Sequence, residues 1–91
     1  MRFEWDEQKN EANRAKHGMD FSQALQIRAL VFDADVREDY AEERWFGLGL
    51  VGDMVVGLVF TLPSEGVIRI LSLRKATRDE EERYFREAFR K

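Results

Sequence analysis

The side chains in this sequence that could transfer a proton near neutral pH are few. The chain has one histidine and no cysteine, so neither a thiolate site nor a metal site built from several imidazoles is available. Histidine is the side-chain type that titrates near neutrality, which makes His17 the default acid or base. A histidine just before Gly18 is equally explained by interaction with the C-terminus of a helix. Both interpretations stay open.

Three cations near the end of the chain, Arg69, Arg74 and Lys75, are the best candidates for binding an anion. An arginine binds a phosphate through two parallel hydrogen bonds and stays charged at every relevant pH. Residues 1–63 carry 7 basic and 12 acidic side chains, whereas residues 64–91 carry 8 basic and 6 acidic ones. An anion site is therefore expected in the C-terminal third, although the same cations could simply pair with the acidic cluster that follows them.

Four further side chains each have a functional and a structural interpretation. Lys16 could contact a phosphate or act as a base, or be a solvated helix lysine. Glu43 and Arg44 could serve as base and clamp, or pair with neighbours across a sheet. Tyr84 could donate its hydroxyl to a phosphate, but its place in an aromatic stripe favours core packing.

Length and composition indicate one small domain, spanning residues 1–91. With 44% hydrophobic residues the chain should fold, while a net charge of −3 does not by itself suggest a nucleic-acid partner. The N-terminus has no apolar leader segment, and the longest apolar run, residues 54–60, is too short to span a bilayer. A cytoplasmic location without membrane contact is expected, and no cofactor is implied.

The N-terminal half predicts a short strand followed by two helices. Residues 3–5 favour a strand, and Asp6 is a typical N-cap for a helix that runs to about His17 and ends at Gly18. Residues 20–30 begin with a capping-box pattern and predict a second, short helix.

The second half predicts an antiparallel sheet. Residues 33–43 hold six acids and one base, which disfavours burial and indicates a solvated loop or an edge that faces a partner. Three β-rich runs follow, at 44–51, 54–62 and 67–75, separated by typical turn residues. The middle run is almost continuously apolar and is therefore predicted to be the central strand.

The last strand and the last helix complete an α+β fold of a short N-terminal strand and two helices, an antiparallel β-meander and a C-terminal helix. Counting by twos along the last strand places one set on a common face: Ile68, Ile70, Ser72 and Arg74. A capping box of Thr77 with Glu80 predicts the start of the final helix. Its apolar stripe consists of Tyr84, Phe85, Ala88 and Phe89.

The N-terminal pattern F-E-W-D-x-x-K-N-x-x-N-x-x-K-H-G-x-x-F makes the sequence resemble the BrnT family of toxins. The eleven matching positions are Phe3, Glu4, Trp5, Asp6, Lys9, Asn10, Asn13, Lys16, His17, Gly18 and Phe21. The segments EERWFGLG, VVGLVFT and IRILSLRKATRDEEERY continue the resemblance over nearly the whole chain. It implies a RelE-like fold, metal-independent cleavage of RNA that arrests growth, and a BrnA-type antitoxin through which the pair binds operator DNA.

Metal-free RNA cleavage uses the 2′-OH as nucleophile, so the resemblance implies a base, an acid and a cation at the phosphate. The candidates for these catalytic roles are His17, Glu43, Arg69, Arg74 and Tyr84. The candidates for binding flanking RNA phosphates are Lys16, Arg44 and Lys75.

The sequence departs from the family pattern at two places. Leu62-Pro63 replaces polar or charged residues, often including arginine, which could remove a phosphate contact. Leu73 replaces a smaller alanine and could crowd the site. These departures and the acidic composition support a second hypothesis, a catalytically weak partner and co-repressor of a DNA-binding antitoxin. Growth arrest on induction without the partner would separate the two hypotheses, while a nucleic-acid-binding domain acting alone is disfavoured by the negative charge.

Overall fold

The computed structural model of the protein describes residues 2–35 and 43–89. The elements are β1 (Arg2–Glu4), α1 (Glu7–His17), a 3-10 helix (Phe21–Gln26), β2 (Arg28–Asp35), β3 (Arg44–Val51), β4 (Met54–Thr61), β5 (Val67–Lys75) and α2 (Arg78–Ala88). The five strands form one sheet in the order β1-β5-β4-β3-β2, with β1 parallel to β5 and the other pairs antiparallel. The α+β prediction and the central position of the middle run are both confirmed. No helix in the described ranges is long and apolar enough to cross a membrane.

The predicted second helix is wrong in its second half. The capping box at Asp20 is present, but the helix is a 3-10 helix that ends at Gln26. The chain then continues as β2, which pairs with β3 from Arg28 to Asp35. The predicted loop over 33–43 is therefore strand at its start, and its residues 36–42 lie outside the described residues. Pairing with β3 supplies hydrogen-bond partners to this segment, although the acidic residues Asp33 and Asp35 at its end favoured a solvated loop.

A β-bulge in β5 makes the predicted alternation wrong from Leu71 onward. Val59 pairs with Ser72 while the next residue, Phe60, pairs with Ile70, so Leu71 is the extra residue. The side chains beyond the bulge consequently exchange faces. Leu73 joins Ile70 in the core, fully buried, instead of lying on the opposite face.

Two apolar clusters cover the two faces of the sheet. The larger one packs the 3-10 helix and its flanks against β4 and β5, through Met19, Phe21, Ala24, Val56, Leu58, Phe60, Ile68, Ile70 and Leu73. The smaller one packs α2 against β3 and β4, through Leu48, Val55 and Tyr84. Because α2 lies mainly over β2 and β3, the part of the second face towards β5 remains uncovered. There Phe46, Val59 and Ser72 are still partly exposed.

Candidate functional site

Two buried asparagines attach α1 to the rest of the fold. The Asn13 side-chain amide donates to the carbonyl oxygens of Leu73 (2.8 Å) and Met19 (3.0 Å), and its oxygen accepts from the Leu73 N–H (3.1 Å). Asn13 thus bonds both backbone groups of Leu73, as a neighbouring strand would. The Asn10 oxygen accepts from the N–H of Phe21 (2.8 Å). These contacts explain why asparagine, rather than an apolar residue, occupies the buried positions of α1.

Other positions of the N-terminal pattern also have structural roles. Asp6 caps α1 by accepting from the N–H groups of Gln8 (2.8 Å) and Lys9 (3.3 Å). Gly18 ends the helix in the left-handed conformation, with φ 71°, which a glycine adopts without strain. The pattern that identifies the family most specifically therefore describes mainly the frame of the protein. Its three basic positions, by contrast, belong to a surface described below.

The uncovered part of the second sheet face carries the predicted arginines. We call it the open face, formed by Arg44, Phe46, Val59, Thr61, Arg69, Ser72 and Arg74. Arg44 pairs with Thr61, and Thr61 pairs with Arg69, so these three side chains form one row across β3, β4 and β5. Directly paired residues point to the same side of a sheet. Residues up to 30 positions apart in sequence, Arg44 and Arg74, are thereby brought onto one surface.

Arg69 is held at its edge of the open face by a carboxylate from β1. Its Nε donates to Glu4 Oε2 at 2.8 Å, and Glu4 also lies 3.7 Å from Arg2. The neighbouring Thr61 is 1% exposed, and its hydroxyl oxygen has no hydrogen-bond partner among the described residues. An unpartnered hydroxyl next to two arginine positions is a candidate donor for a bound anion.

Arg74 is held on the open face by a bidentate ion pair and by an aromatic ring. Its two terminal nitrogens donate to the two oxygens of Glu80 at 2.7 and 2.9 Å, and the guanidinium carbon lies 5.6 Å from the centre of the Phe46 ring. Gly57, opposite Arg74, leaves the room for this stacking, since a Cβ there would lie 3.2 Å from the Phe46 ring. The arrangement fixes a planar cation over the sheet.

Glu80 links this arginine to the start of α2. It accepts from the Thr77 N–H at 2.9 Å, as the reciprocal half of the predicted capping box. The hydrogen bond from Arg74 is the main reason that the pKa of Glu80 falls to about 2, with the Thr77 N–H adding to the effect. The same bond raises the pKa of Arg74. Arg74 therefore does pair with the acidic cluster, as the structural interpretation of its sequence context stated.

Lys16 and His17 lie apart from these arginines, in a shallow pocket between α1 and β5. We call it the α1–β5 groove, with a volume of about 280 Å³. Its lining residues are Lys9, Ala12, Asn13, Lys16, His17, Leu71 and Ser72. Since Ser72 also belongs to the open face, the groove and the open face adjoin at the β5 bulge.

Tyr84 does not face a substrate surface. Its side chain is fully buried, and its hydroxyl donates to the carbonyl oxygen of Ala29 at 3.0 Å. Burial also raises the pKa of the phenol. The core-packing interpretation is therefore the correct one, and Tyr84 drops out of the candidate site. Ala29 is the one non-glycine with positive φ in the described ranges, at an irregular point of β2.

The remaining predicted positions lie outside the open face, and Lys75 pairs with Val56, a residue of the opposite core. Glu43 is exposed and directly precedes β3. Lys75 is exposed at the end of β5, in a second pocket with Asp53 and Glu81. The expected crowding by Leu73 does not occur, because this side chain is buried in the opposite core. Leu62 is exposed just after β4 and offers no polar group there.

Sequence reasoning missed three side chains of these surfaces. Thr61 gave no signal, since a threonine in an apolar strand looks like any β-branched residue. Glu4 was seen only as part of the family pattern. Lys9 was likewise only a pattern position, although its spacing of two helical turns from Lys16 could have indicated a shared helix face.

The protein is therefore a small α+β protein. Helices pack on its mixed sheet, and arginines make the open face of that sheet cationic. The family model described as the ribonuclease toxin BrnT of type II toxin-antitoxin systems matches residues 5–80. This match covers most of the chain, which therefore belongs to the BrnT family. No curated protein sequence matches the chain.

A solved structure supports the same assignment. The chain is similar to the crystal structure of the ribonuclease toxin BrnT of Brucella abortus, with 25% sequence identity and a TM-score of 0.63. The similarity covers 86% of this chain and 99% of the Brucella chain. The two proteins therefore share one architecture over nearly their whole length.

Proposed function

We propose that the protein is an endoribonuclease toxin that cleaves RNA on the open face. The observation that carries this proposal is the convergence of Arg44, Arg69 and Arg74 from two strands onto one uncovered sheet surface. Because the chain belongs to a family of ribonuclease toxins, the anion expected on this surface is a phosphate of RNA. The bonds that hold Arg69 and Arg74 in place preorganise their charges, which is how enzymes stabilise charge that develops in a transition state.

In the proposed reaction the 2′-OH of the RNA attacks the adjacent phosphate and the 5′-oxygen leaves. This forms a 2′,3′-cyclic phosphate and a free 5′-OH, so the atoms balance without a cofactor. Arg69 and Arg74 would stabilise the charge on the pentavalent phosphate, while Arg44 would bind a neighbouring phosphate. Glu43 at the β3 side and His17 at the β5 side are the two candidates for proton transfer.

The first experiment compares Arg69→Ala and Arg74→Ala with wild type in RNA cleavage and in growth arrest. Loss of one preorganised cation should lower the cleavage rate by about 10²–10³-fold. Arg78→Ala is the matched control, because Arg78 has a side chain that is 91% exposed and lies 3.7 Å from Glu82. Circular dichroism would establish that each variant is folded. Folded Arg69→Ala and Arg74→Ala proteins that cleave RNA like wild type would refute the proposed site.

A second experiment concerns proton transfer and metal dependence. The variants are His17→Ala and Glu43→Gln. If the replaced side chain is the acid or base, the pH dependence of cleavage should change, whereas loss of a side chain that only positions the RNA should lower the rate equally at all pH values. We also propose that cleavage persists in EDTA and leaves a 2′,3′-cyclic phosphate, because the described residues contain no group of three or more His, Cys, Asp or Glu side chains that could hold a metal ion. Loss of all cleavage in EDTA would contradict this.

We further propose that a BrnA-type antitoxin neutralises the protein in the cytoplasm by covering the open face with acidic side chains, and that the complex binds operator DNA through the antitoxin. Binding and inhibition would then be one event, and binding should raise the melting temperature by mass action. The charge-reversed protein Arg69→Glu/Arg74→Glu should bind the antitoxin more weakly. Unchanged affinity would place the interface elsewhere.

The alternative function, a catalytically weak co-repressor, is favoured by one specific observation. Arg69 and Arg74 both contact carboxylates, at 2.8 Å from Glu4 and 2.7 Å from Glu80, so part of their charge is already compensated. Induction of the protein without its partner decides between the two functions. Growth arrest supports the toxin, and unimpaired growth with soluble protein supports the co-repressor.

A further inference from the structure

The positive charges of the α1–β5 groove are not compensated by the described part of the protein. Most arginines of the described residues form an ion pair with a carboxylate, as Arg14 does at 2.7 Å from Asp20. Lys9 and Lys16, in contrast, have no ion pair with any residue in the ranges 2–35 and 43–89. In a protein of net charge −3, two ammonium groups that line one pocket without an ion pair among the described residues give it a local positive charge, which favours an anionic ligand.

The two lysines are placed to follow an extended anion. They are seven residues apart on α1, which is about two turns, so they lie on the same side of the helix about 10 Å apart along its axis. The other wall of the groove is β5 at Leu71 and Ser72. This edge of β5 is not covered by β1, whose pairing ends where Glu4 meets Arg69.

The groove is continuous with the open face. Ser72 lines the groove and pairs with Val59, in the row of the open face that lies between those of Arg69 and Arg74. Asn13, which bonds both backbone groups of Leu73, keeps the wall of the groove fixed. A polyanion lying across the open face can therefore leave it at Ser72 and continue along α1.

We propose that the α1–β5 groove is a second binding site for the RNA backbone, in which Lys9 and Lys16 bind phosphates next to the cleaved one. This inference rests on the proposed ribonuclease function and extends it from a single phosphate to a longer strand. Continuity with the open face favours single-stranded RNA over an acidic protein segment as the ligand, since one strand can occupy both surfaces. Lys9 and Lys16 thus contribute affinity for long RNA, while proton transfer stays with the candidates His17 and Glu43.

The test is the salt dependence of RNA binding by Lys9→Gln/Lys16→Gln. The probe is a fluorescent 2′-O-methyl oligonucleotide long enough to cover both surfaces, which lacks the 2′-OH that the reaction needs. Loss of two phosphate contacts should weaken binding and reduce the slope of log K against log salt by about 1.4, at about 0.7 per phosphate for a single strand. Arg28→Gln/Arg86→Gln is the matched control, removing two exposed charges at the opposite edge of the sheet and on α2.

A cleavage assay gives the second readout. The advantage in kcat/KM of a long RNA over a trinucleotide should fall in Lys9→Gln/Lys16→Gln and stay as in wild type in the control. Unchanged affinity and salt slope would overturn the inference, as would an equal loss in the control. Weaker binding of the antitoxin with unchanged RNA binding would instead make the groove a protein-binding site. If wild type binds the probe but cleaves no RNA, the proposed function fails while the binding result still decides the role of the groove.

Discussion

Replacement of Asn13 by alanine should destabilise the protein strongly, although the side chain is small and polar. The substitution removes three hydrogen bonds and leaves the N–H and C=O of Leu73 and the C=O of Met19 without their partner. All three bonds are buried. At about 1 kcal/mol of net stability for each bond, the free energy of unfolding should fall by about 3 kcal/mol. For a domain of this size, that corresponds to a melting temperature lower by about 12–24 °C.

Urea denaturation followed by circular dichroism measures this loss directly. Glu11→Ala is the control on the same helix, since Glu11 is exposed and should change the free energy of unfolding by no more than about 0.5 kcal/mol. Asn13→Asp adds a sharper test, because an ionised carboxylate can accept from Leu73 but cannot donate to either carbonyl oxygen. This variant should therefore regain stability relative to wild type as the pH falls and the carboxyl group is protonated.

The reasoning would be refuted if Asn13→Ala lost less than about 1 kcal/mol, within the range of a single ordinary hydrogen bond. Such a result would mean that the apolar contacts of the 3-10 helix and β5 hold α1 in place, and that the asparagines merely satisfy groups that water could reach.

Three other substitutions separate stability from function. Glu80 has a pKa lowered from 4.5 to about 2, so its ionised form contributes stability above pH 4.5 that is lost as the pH falls through about 2. The difference in unfolding free energy between wild type and Glu80→Gln should therefore be full at pH 7, shrink below pH 4.5 and vanish only below about pH 2, and a pH-independent difference would contradict the role of the ion pair. Thr61→Val should be neutral or stabilising in thermal unfolding, because its buried hydroxyl has no described partner; lower cleavage by this stable variant would show that the hydroxyl contacts RNA. Tyr84→Phe should lose about 1 kcal/mol with its bond to Ala29 and keep wild-type cleavage, whereas a folded but inactive variant would return Tyr84 to the site.

Much of the fold followed from the sequence because the signals are local. Asp6 begins α1 and Gly18 ends it, each through hydrogen bonds to residues at most four positions away in the chain. The capping box at Thr77 begins α2 in the same local way. The apolar run of β4 predicts its central position, since a strand buried on both faces needs apolar residues at successive positions. The predicted arginines were identified from residue type and family pattern.

The rest required the tertiary structure, because it depends on residues far apart in the chain. The bulge at Leu71 is visible only in the pairing of β4 with β5, and it decides that Leu73 is core while Arg74 lies on the open face. Asn13 reaches a partner 60 positions away, and a strand register across the sheet brings Arg44 to Thr61. Sequence alone indicated most of the cations that could bind an anion, but not Lys9 or the hydroxyl of Thr61. Register, bulge and helix docking decided which of them share a surface, because a strand shifted by one residue turns its side chains to the other face of the sheet.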